Sequence, residues 1–398
     1  METIPEFLDM LLENANERRA ISKKINEVSD KIREGYHLND LKIQGIPEIF
    51  REFIFDLARS RIKVEDRFSL GNEVWLDSYS ASYSTPEIAG KYRAGRIKNR
   101  SIVDLGAGAG MQSVFFSENN DIIEIEIDPV RSRLAKLNAI AYERRGILIK
   151  NEDVFSFIDS RKEDFDVIFS DPLRTAGNSE KTMDSLVPNP LKILEKCDIS
   201  KTDFAFDLPP LFPENNLRID GEHEYISING LLNRFTLYSE GLSHSQRTAV
   251  MLPQNVIIRG EKQDLRFQET GKPMGYLFLP DPALLHAGLV PQVYDVSAFK
   301  LFSMDTRRLV LTGDILPKTG GTGEIYTVIE TSTNASLKEE IEKLEPGKII
   351  PRFAIESDSY YDYVRKLSNP LWVGESIYLF RKDGLFCLKV KFILRPWL

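Results

Sequence analysis

The chain has 398 residues, enough for two or three domains. It is 42% hydrophobic and 28% charged, the balance of a globular protein in water, and no apolar run reaches the roughly 20 residues a membrane-spanning helix needs. The formal net charge of −8 argues against a surface that grips a polyanion throughout, because such binding comes mainly from phosphate neutralisation.

The acidic excess lies in the middle of the chain, and no dense basic tract flanks it. Cys197 and Cys387 are far apart, and His37, His223, His244 and His286 form no zinc pattern, so no metal is expected. The first residues, Met-Glu-Thr-Ile-Pro-Glu, lack the basic and apolar regions of a secretory leader. A cytoplasmic, disulfide-free enzyme is the expectation. Nothing in the sequence fixes an oligomeric state.

In chain order, Phe7, Leu8, Leu11, Leu12, Ala15, Ile21, Ile25, Val28 and Ile32 recur at helical spacing and predict a helix over residues 4–35. A second helical stretch covers Pro47 to Ile62, and together they predict an N-terminal helical domain over residues 1–80. Thr85 and Pro86 predict another helix start. Arg93 and Arg96 follow on that helix, where they read as surface charge, with closure over a ligand carboxylate as the alternative.

Ser101 to Leu105 is a short apolar strand, followed by Gly106, Gly108 and Gly110 and then a helical stretch from Met111. Glycine tolerates positive φ and lets a ligand approach bare backbone. The helix behind such a loop would offer free N–H groups. The next apolar run, Ile122 to Ile127, contains Glu126 near its end, where a carboxylate can accept both hydroxyls of a ribose. The third glycine comes one residue too early for the nicotinamide fingerprint G-x-G-x-x-G, and an acid at Asp104 is foreign to it. A βαβ turn without a ligand is the plain alternative.

Ile147 to Ile149 predicts the third strand, followed by Asp153, a cap for the helix starting near Val154. The fourth strand, Asp164 to Ser170, runs into Asp171-Pro172-Leu173-Arg174. Ligands of open α/β sheets sit at the carboxyl ends of strands, which makes Asp171, Pro172 and Arg174 the candidate catalytic residues. A further strand near residue 203 ends at Asp207. Asn229-Gly230 between apolar runs signals a hairpin, and Arg247 to Pro253 supplies another strand. The whole predicts an α/β fold: a parallel sheet with right-handed crossovers over residues 81–317. Lys318 to Gly323 predicts a linker, and residues 318–398 a small α/β domain of βαβαββ order.

Asp-Leu-Gly-x-Gly-x-Gly with Glu-Ile-Asp-Pro resembles the first two motifs of class I S-adenosylmethionine-dependent methyltransferases, with their Rossmann-like sheet. With Asp171-Pro172-x-Arg174, the segment Tyr225 to Gly230 and the segment Leu279 to Leu289, the chain from about Ala58 onward resembles methyltransferases that end in a THUMP-like domain. That resemblance implies S-adenosyl-L-methionine held at Asp104, Gly106, Ala107, Gly108, Gly110, Glu126, Ile127, Asp153 and Val154. In the family an acid at the place of Asp153 receives the adenine amino group. THUMP domains bind RNA, usually tRNA, so the resemblance implies methyl transfer to a nitrogen or oxygen of tRNA or rRNA. A protein or small-molecule acceptor, and a non-catalytic RNA-binding factor, are the alternatives.

Overall fold

The computed structural model describes residues 3–160, 164–174, 181–197, 200–305, 308–328, 330–388 and 391–394. The chain divides into two compact units. One is Met1–Glu222 with Phe235–Ser243, and the other is His223–Arg234 with His244–Leu398.

The first unit begins with helices α1 (Ile4–Glu13), α2 (Ala15–Arg33), α3 (Arg51–Val64), α4 (Ser78–Tyr83) and α5 (Glu87–Arg96). The predicted single helix over residues 4–35 is interrupted at Asn14, which ends α1 and caps α2 by accepting from Asn16 and Glu17 N–H. A side chain that bonds its own backbone competes with the helical ladder there. The sheet elements follow: β1 (Ser101–Leu105), α6 (Met111–Phe116), β2 (Asp121–Ile125), α7 (Pro129–Ala141), β3 (Ile147–Lys150), α8 (Val154–Ser160), β4 (Val167–Ser170), the short ribbon β5 (Leu173–Arg174) and β6 (Leu186–Val187), α9 (Pro190–Lys196) and β7 (Asp203–Leu208).

Strands β3, β2, β1, β4 and β7 lie side by side in that order, all parallel. Phe235–Tyr238 runs antiparallel to β7 and closes this unit's part of the sheet. The α/β fold with a parallel sheet and an antiparallel end is therefore as the pattern predicted.

The N-terminal helices share one core with the sheet: Phe7, Ile25, Leu57, Val114, Leu134 and Val167 belong to a single buried cluster. Polar groups join them too. Arg133 on α7 pairs bidentately with Asp9 at 2.8 Å. Buried Asn138 accepts from Trp75 N–H at 2.7 Å and donates to the carbonyls of Trp75 and Ala109.

The second unit holds most of β8 (Glu222–Ile228), the first half of β9 (Leu231–Tyr238), β10 (Arg247–Leu252) and β11 (Val256–Gly260). Asn229 and Gly230, at φ +52° and +71°, make the predicted turn between β8 and β9. Strand β10 runs parallel to β8 and antiparallel to β11. Beyond them come β12 (Tyr276–Pro280), α10 (Pro282–Ala287), α11 (Val290–Val293), β13 (Lys300–Met304), β14 (Leu309–Gly313), β15 (Gly323–Thr327), β16 (Glu330–Thr333), α12 (Leu337–Leu344), β17 (Pro346–Pro351), α13 (Ser357–Leu367), β18 (Gly374–Lys382), β19 (Leu385–Leu388) and β20 (Lys391–Leu394).

They build a five-stranded sheet ordered β13-β14-β12-β15-β20 and a four-stranded one ordered β16-β19-β18-β17. Strand β15, just past the Lys318–Gly323 segment, pairs with β12 before it. Among the described residues, no helix is long and apolar enough to cross a membrane.

Arg93 and Arg96 are buried rather than on the surface. Arg93 is fully enclosed, and its guanidinium meets both oxygens of Asp207 at 2.6 Å and Gln112 Oε1 at 2.5 Å. Arg96 pairs with Glu222 at 2.6 Å and lies 3.8 Å from the Tyr238 ring centre. Sequence spacing placed both on one helix but not their acidic partners, which arrive from more than a hundred residues later. Arg93→Ala leaves Asp207 buried without its guanidinium. Urea unfolding should show a loss of about 3–5 kcal/mol, and a loss under about 1 kcal/mol would mean that solvent already screens the pair.

Candidate active site

The strand order turns at β1 and β4: β2 and β3 lie on one side, β7 on the other. Loops leaving the carboxyl ends of these two strands diverge and open a crevice. The loop after β1 carries the three glycines and the loop after β4 begins with Asp171, so the topology brings the two sequence signals to one place.

Gly106, Gly108 and Gly110 have φ of +84°, +61° and +75°. The loop they make is tied down by its own amides. Gly106 and Ala107 N–H both donate to the Ile125 carbonyl, at 2.9 and 3.1 Å. Gly108 N–H donates to Glu126 Oε2 at 2.8 Å, and Gly110 N–H to the Ala107 carbonyl. The free N–H groups predicted from the sequence belong to the helix behind the loop, not to the loop's own amides. The four loop amides are committed to the protein, and what the loop offers is close approach. A methyl at Gly108 would meet nothing within 4 Å, whereas one at Gly110 would lie 2.8 Å from Glu124 Oε1 and 2.9 Å from Ala135 Cβ.

Glu126 follows β2 and is largely buried. Its Oε1 accepts from Asp128 N–H and its Oε2 from Gly108 N–H, both at 2.8 Å. A carboxylate oxygen has two lone pairs, so each retains capacity for one hydroxyl. Ile127 beside it is 65% exposed, an apolar face next to a hydrogen-bonding acid. Asp153 caps α8 through Oδ1, accepting from Phe155 and Ser156 N–H at 3.0 and 2.9 Å. Its Oδ2 has no hydrogen bond among the described residues. Val154 is buried under it. A nucleoside-sized ligand thus finds a ribose acceptor, an apolar patch and a second acid on the ends of β2 and β3. The donor set fits the adenosyl half of S-adenosyl-L-methionine.

Asp104 lies under the loop, 2% exposed, and accepts from Ser113 Oγ at 2.8 Å. Burial pushes its carboxyl up to about 7, with nearby Asp171 and Glu126 adding to the rise and the Ser113 bond and Arg93 opposing it. Beside it on β2, Glu124 is fully buried, and burial with the Asp104 charge pushes it up to about 8. Sequence reading missed Glu124. The signal was present: in Asp121-Ile-Ile-Glu-Ile-Glu126 the strand period of two puts Glu124 and Glu126 on one face.

Asp171 is half-buried and Pro172 buried, directly after β4. Ser170 Oγ donates to the Leu105 carbonyl at 2.7 Å and binds the tip of β4 to the tip of β1. Arg174 is exposed in the ribbon opposite Leu186. Residues 175–180 lie outside the described residues. Among the described residues, no group of three or more His, Cys, Asp or Glu could hold a metal ion.

No protein-family model matches the chain, and no curated protein matches it. A solved structure does. The crystal structure of a "putative methyltransferase" from Porphyromonas gingivalis W83 superposes with a TM-score of 0.72 at 16% identity, over 94% of this chain and 99% of that one. The chain has a Rossmann-like methyltransferase fold. The Thermus thermophilus 16S rRNA N2 G1207 methyltransferase RsmC, in complex with AdoMet and guanosine, aligns over 41% of this chain and 44% of its own at 15% identity, with a TM-score of only 0.31. That likeness carries no weight here.

Alanine at Gly108 should cost about 1–2 kcal/mol for the left-handed backbone alone. Alanine at Gly110 adds the two collisions, so its loss in thermal or urea unfolding should exceed that of Gly108→Ala. Equal losses would mean that the Glu124 carboxyl moves aside freely.

Proposed function

We propose that the protein is an S-adenosyl-L-methionine-dependent methyltransferase acting on a nitrogen or oxygen of RNA, either tRNA or rRNA. The observation that supports the cofactor half best is the meeting, at one switch point of the sheet, of three left-handed glycines, Glu126 on one side and Asp171 on the other. The residues that would hold the cofactor are Glu126 for the ribose hydroxyls, Ile127 and Val154 for the adenine faces, Asp153 for its amino group and Asp104 for the cationic end. Gly106, Ala107, Gly108 and Gly110 would give it close backbone.

When bound, the cofactor supplies a methyl carbon already activated by a sulfonium. The work left to the chain is alignment, which can lower a barrier by roughly 7–11 kcal/mol. Asp171 accepts a hydrogen bond from the acceptor N–H or O–H and turns its lone pair toward the methyl carbon. The cofactor would supply that carbon together with its leaving group, a sulfur able to keep the electron pair of the bond it loses. The acceptor's proton leaves through Asp171 to water. Pro172 stiffens the turn and offers its carbonyl as a second acceptor. Arg174, exposed two residues further on, suits a substrate phosphate. Residues 318–398 would serve as the THUMP-like RNA-delivering part. The Rossmann-like comparison alone would leave the acceptor open.

A protein or a small molecule is the second reading, favoured by the net charge of −8. Radiolabelled S-adenosyl-L-methionine offered to total RNA and to protein extract decides between them. Label should enter RNA, and transfer should collapse between low and moderate salt. Label in protein alone would remove the RNA reading.

Glu126→Ala should weaken cofactor binding roughly 10–100-fold in calorimetry, the loss of hydrogen bonds to an ionised acceptor. Asp171→Ala should lower kcat about 100-fold or more with cofactor affinity nearly unchanged. An unchanged turnover would move the acceptor away from the tip of β4.

A further inference from the structure

Asp104 and Glu124 are register partners on the parallel pair β1 and β2, so they leave the sheet on the same face. Both are buried. Helix α6 brings one hydroxyl, Ser113, and its proton goes to Asp104 Oδ2 at 2.8 Å. Neither oxygen of Glu124 has a hydrogen-bond partner among the described residues. Gly110 of the glycine loop and Ala135 of α7 flank it, its register partner on β3 is Ile149, and the Ser113 hydroxyl is near enough to oppose, without cancelling, the rise that burial and Asp104 cause. The charged groups facing the pair are Glu126 from the end of its own strand, Asp171 from the loop after β4 and Arg93 from α5. Two of these three groups bring more negative charge, and the third, Arg93, is paired with Asp207.

Two carboxylates with one hydroxyl donor between them cannot both ionise in a site closed to water. An unpaired buried carboxylate is so costly that the group keeps its proton instead. Resting on the cofactor reading above, we propose that Glu124 is a positioning residue for the glycine loop. It acts as a neutral acid whose O–H is given to Asp104 across β1 and β2. Cofactor binding therefore fails as that proton is lost.

The geometry supplies the link to the loop. Glu124 Oε1 fills the space that a side chain at Gly110 would take, so the neutral carboxyl is the floor on which the loop rests. Ionised, it repels Asp104 and draws water under Gly110, and the loop lifts. Neutral, it leaves the pair with a single negative charge, on Asp104, facing a cationic ligand.

The test compares wild type, Glu124→Gln and Glu124→Ala across about pH 5 to 9 by two readouts. The first is thermal unfolding without ligand. The second is calorimetric titration with S-adenosyl-L-methionine and with its demethylated product.

The native carboxyl holds its proton up to about 8, against 4.5 for the free group. Its contribution to stability is therefore full below 4.5 and is lost as pH rises through about 8. Wild-type Tm should fall over that window, and Glu124→Gln, whose amide N–H replaces the acid O–H, should fall less and melt higher than wild type near pH 9. Wild-type affinity should drop about tenfold or more from near pH 7 to near pH 9, while Glu124→Gln keeps its affinity within a few-fold. Glu124→Ala, with no donor and a void under Gly110, should bind weakly at every pH.

Parallel Tm slopes for wild type and Glu124→Gln would overturn the neutral acid. A steep loss of affinity in both would overturn the link to the loop. Absence of heat in every protein at every pH would remove the cofactor reading, and the binding role of Glu124 with it. The Tm slopes would still decide the state of Glu124.

Discussion

A backbone reversal that glycine alone adopts at little cost joins β1 to α6, and the rest of the cleft is placed by it. Three residues with φ between +61° and +84° in a span of five would cost about 1–2 kcal/mol each with any ordinary side chain. The reversal is held by bonds to the end of β2 rather than by bonds within the loop alone: Ile125 takes two of its amides and Glu126 a third. Strand β2 is thus both the neighbour that fixes the loop and the carrier of the acid beside it. A shift of register between β1 and β2 would move both together.

The support for this arrangement comes from outside the sheet. Asn138 on α7 satisfies the backbone of Trp75 and the carbonyl of Ala109 at once. Arg93 on α5 reaches Gln112 on α6 and Asp207 at the end of β7. A segment that reads as a separate helical prelude therefore shares the core that backs the sheet. Buried pairs of this kind contribute little net stability but are expensive to break. They fix where a helix sits more than they hold the protein together.

Much of this was legible in the sequence because it is local. The strands near residues 101, 122, 147, 165 and 203 carry apolar runs bounded by turn residues, and they form as read. The Asn229-Gly230 turn and the Asp153 cap follow from short-range chemistry. The partners of Arg93 and Arg96 were not legible, because a guanidinium on an amphipathic helix gives no sign that a carboxylate from residue 207 or 222 will meet it. The interruption at Asn14 was hidden by apolar spacing that continues across it. Glu124 was overlooked for a related reason: a lone acid inside an apolar strand looks exposed until the helix that covers it is placed.

The electrostatics of the cleft favour one class of ligand over its rival. A dinucleotide loop needs amides free to receive a pyrophosphate, and here Gly106, Ala107, Gly108 and Gly110 have already given theirs. Glu126 and Asp171 lie near enough to raise the proton affinity of buried Asp104, and Asp104 and Glu126 near enough to raise that of buried Glu124. Arg93 is the cation that moderates Asp104, and its charge is matched by Asp207. A second anion there would meet acids and loop amides that are already bonded, whereas a cation would relieve a repulsion the fold has already built in. Such a site is preorganised for positive charge. The same crowding explains why one of its acids must stay neutral: the cleft can hold negative charge toward a ligand only if the carboxyl farthest from water gives up its own.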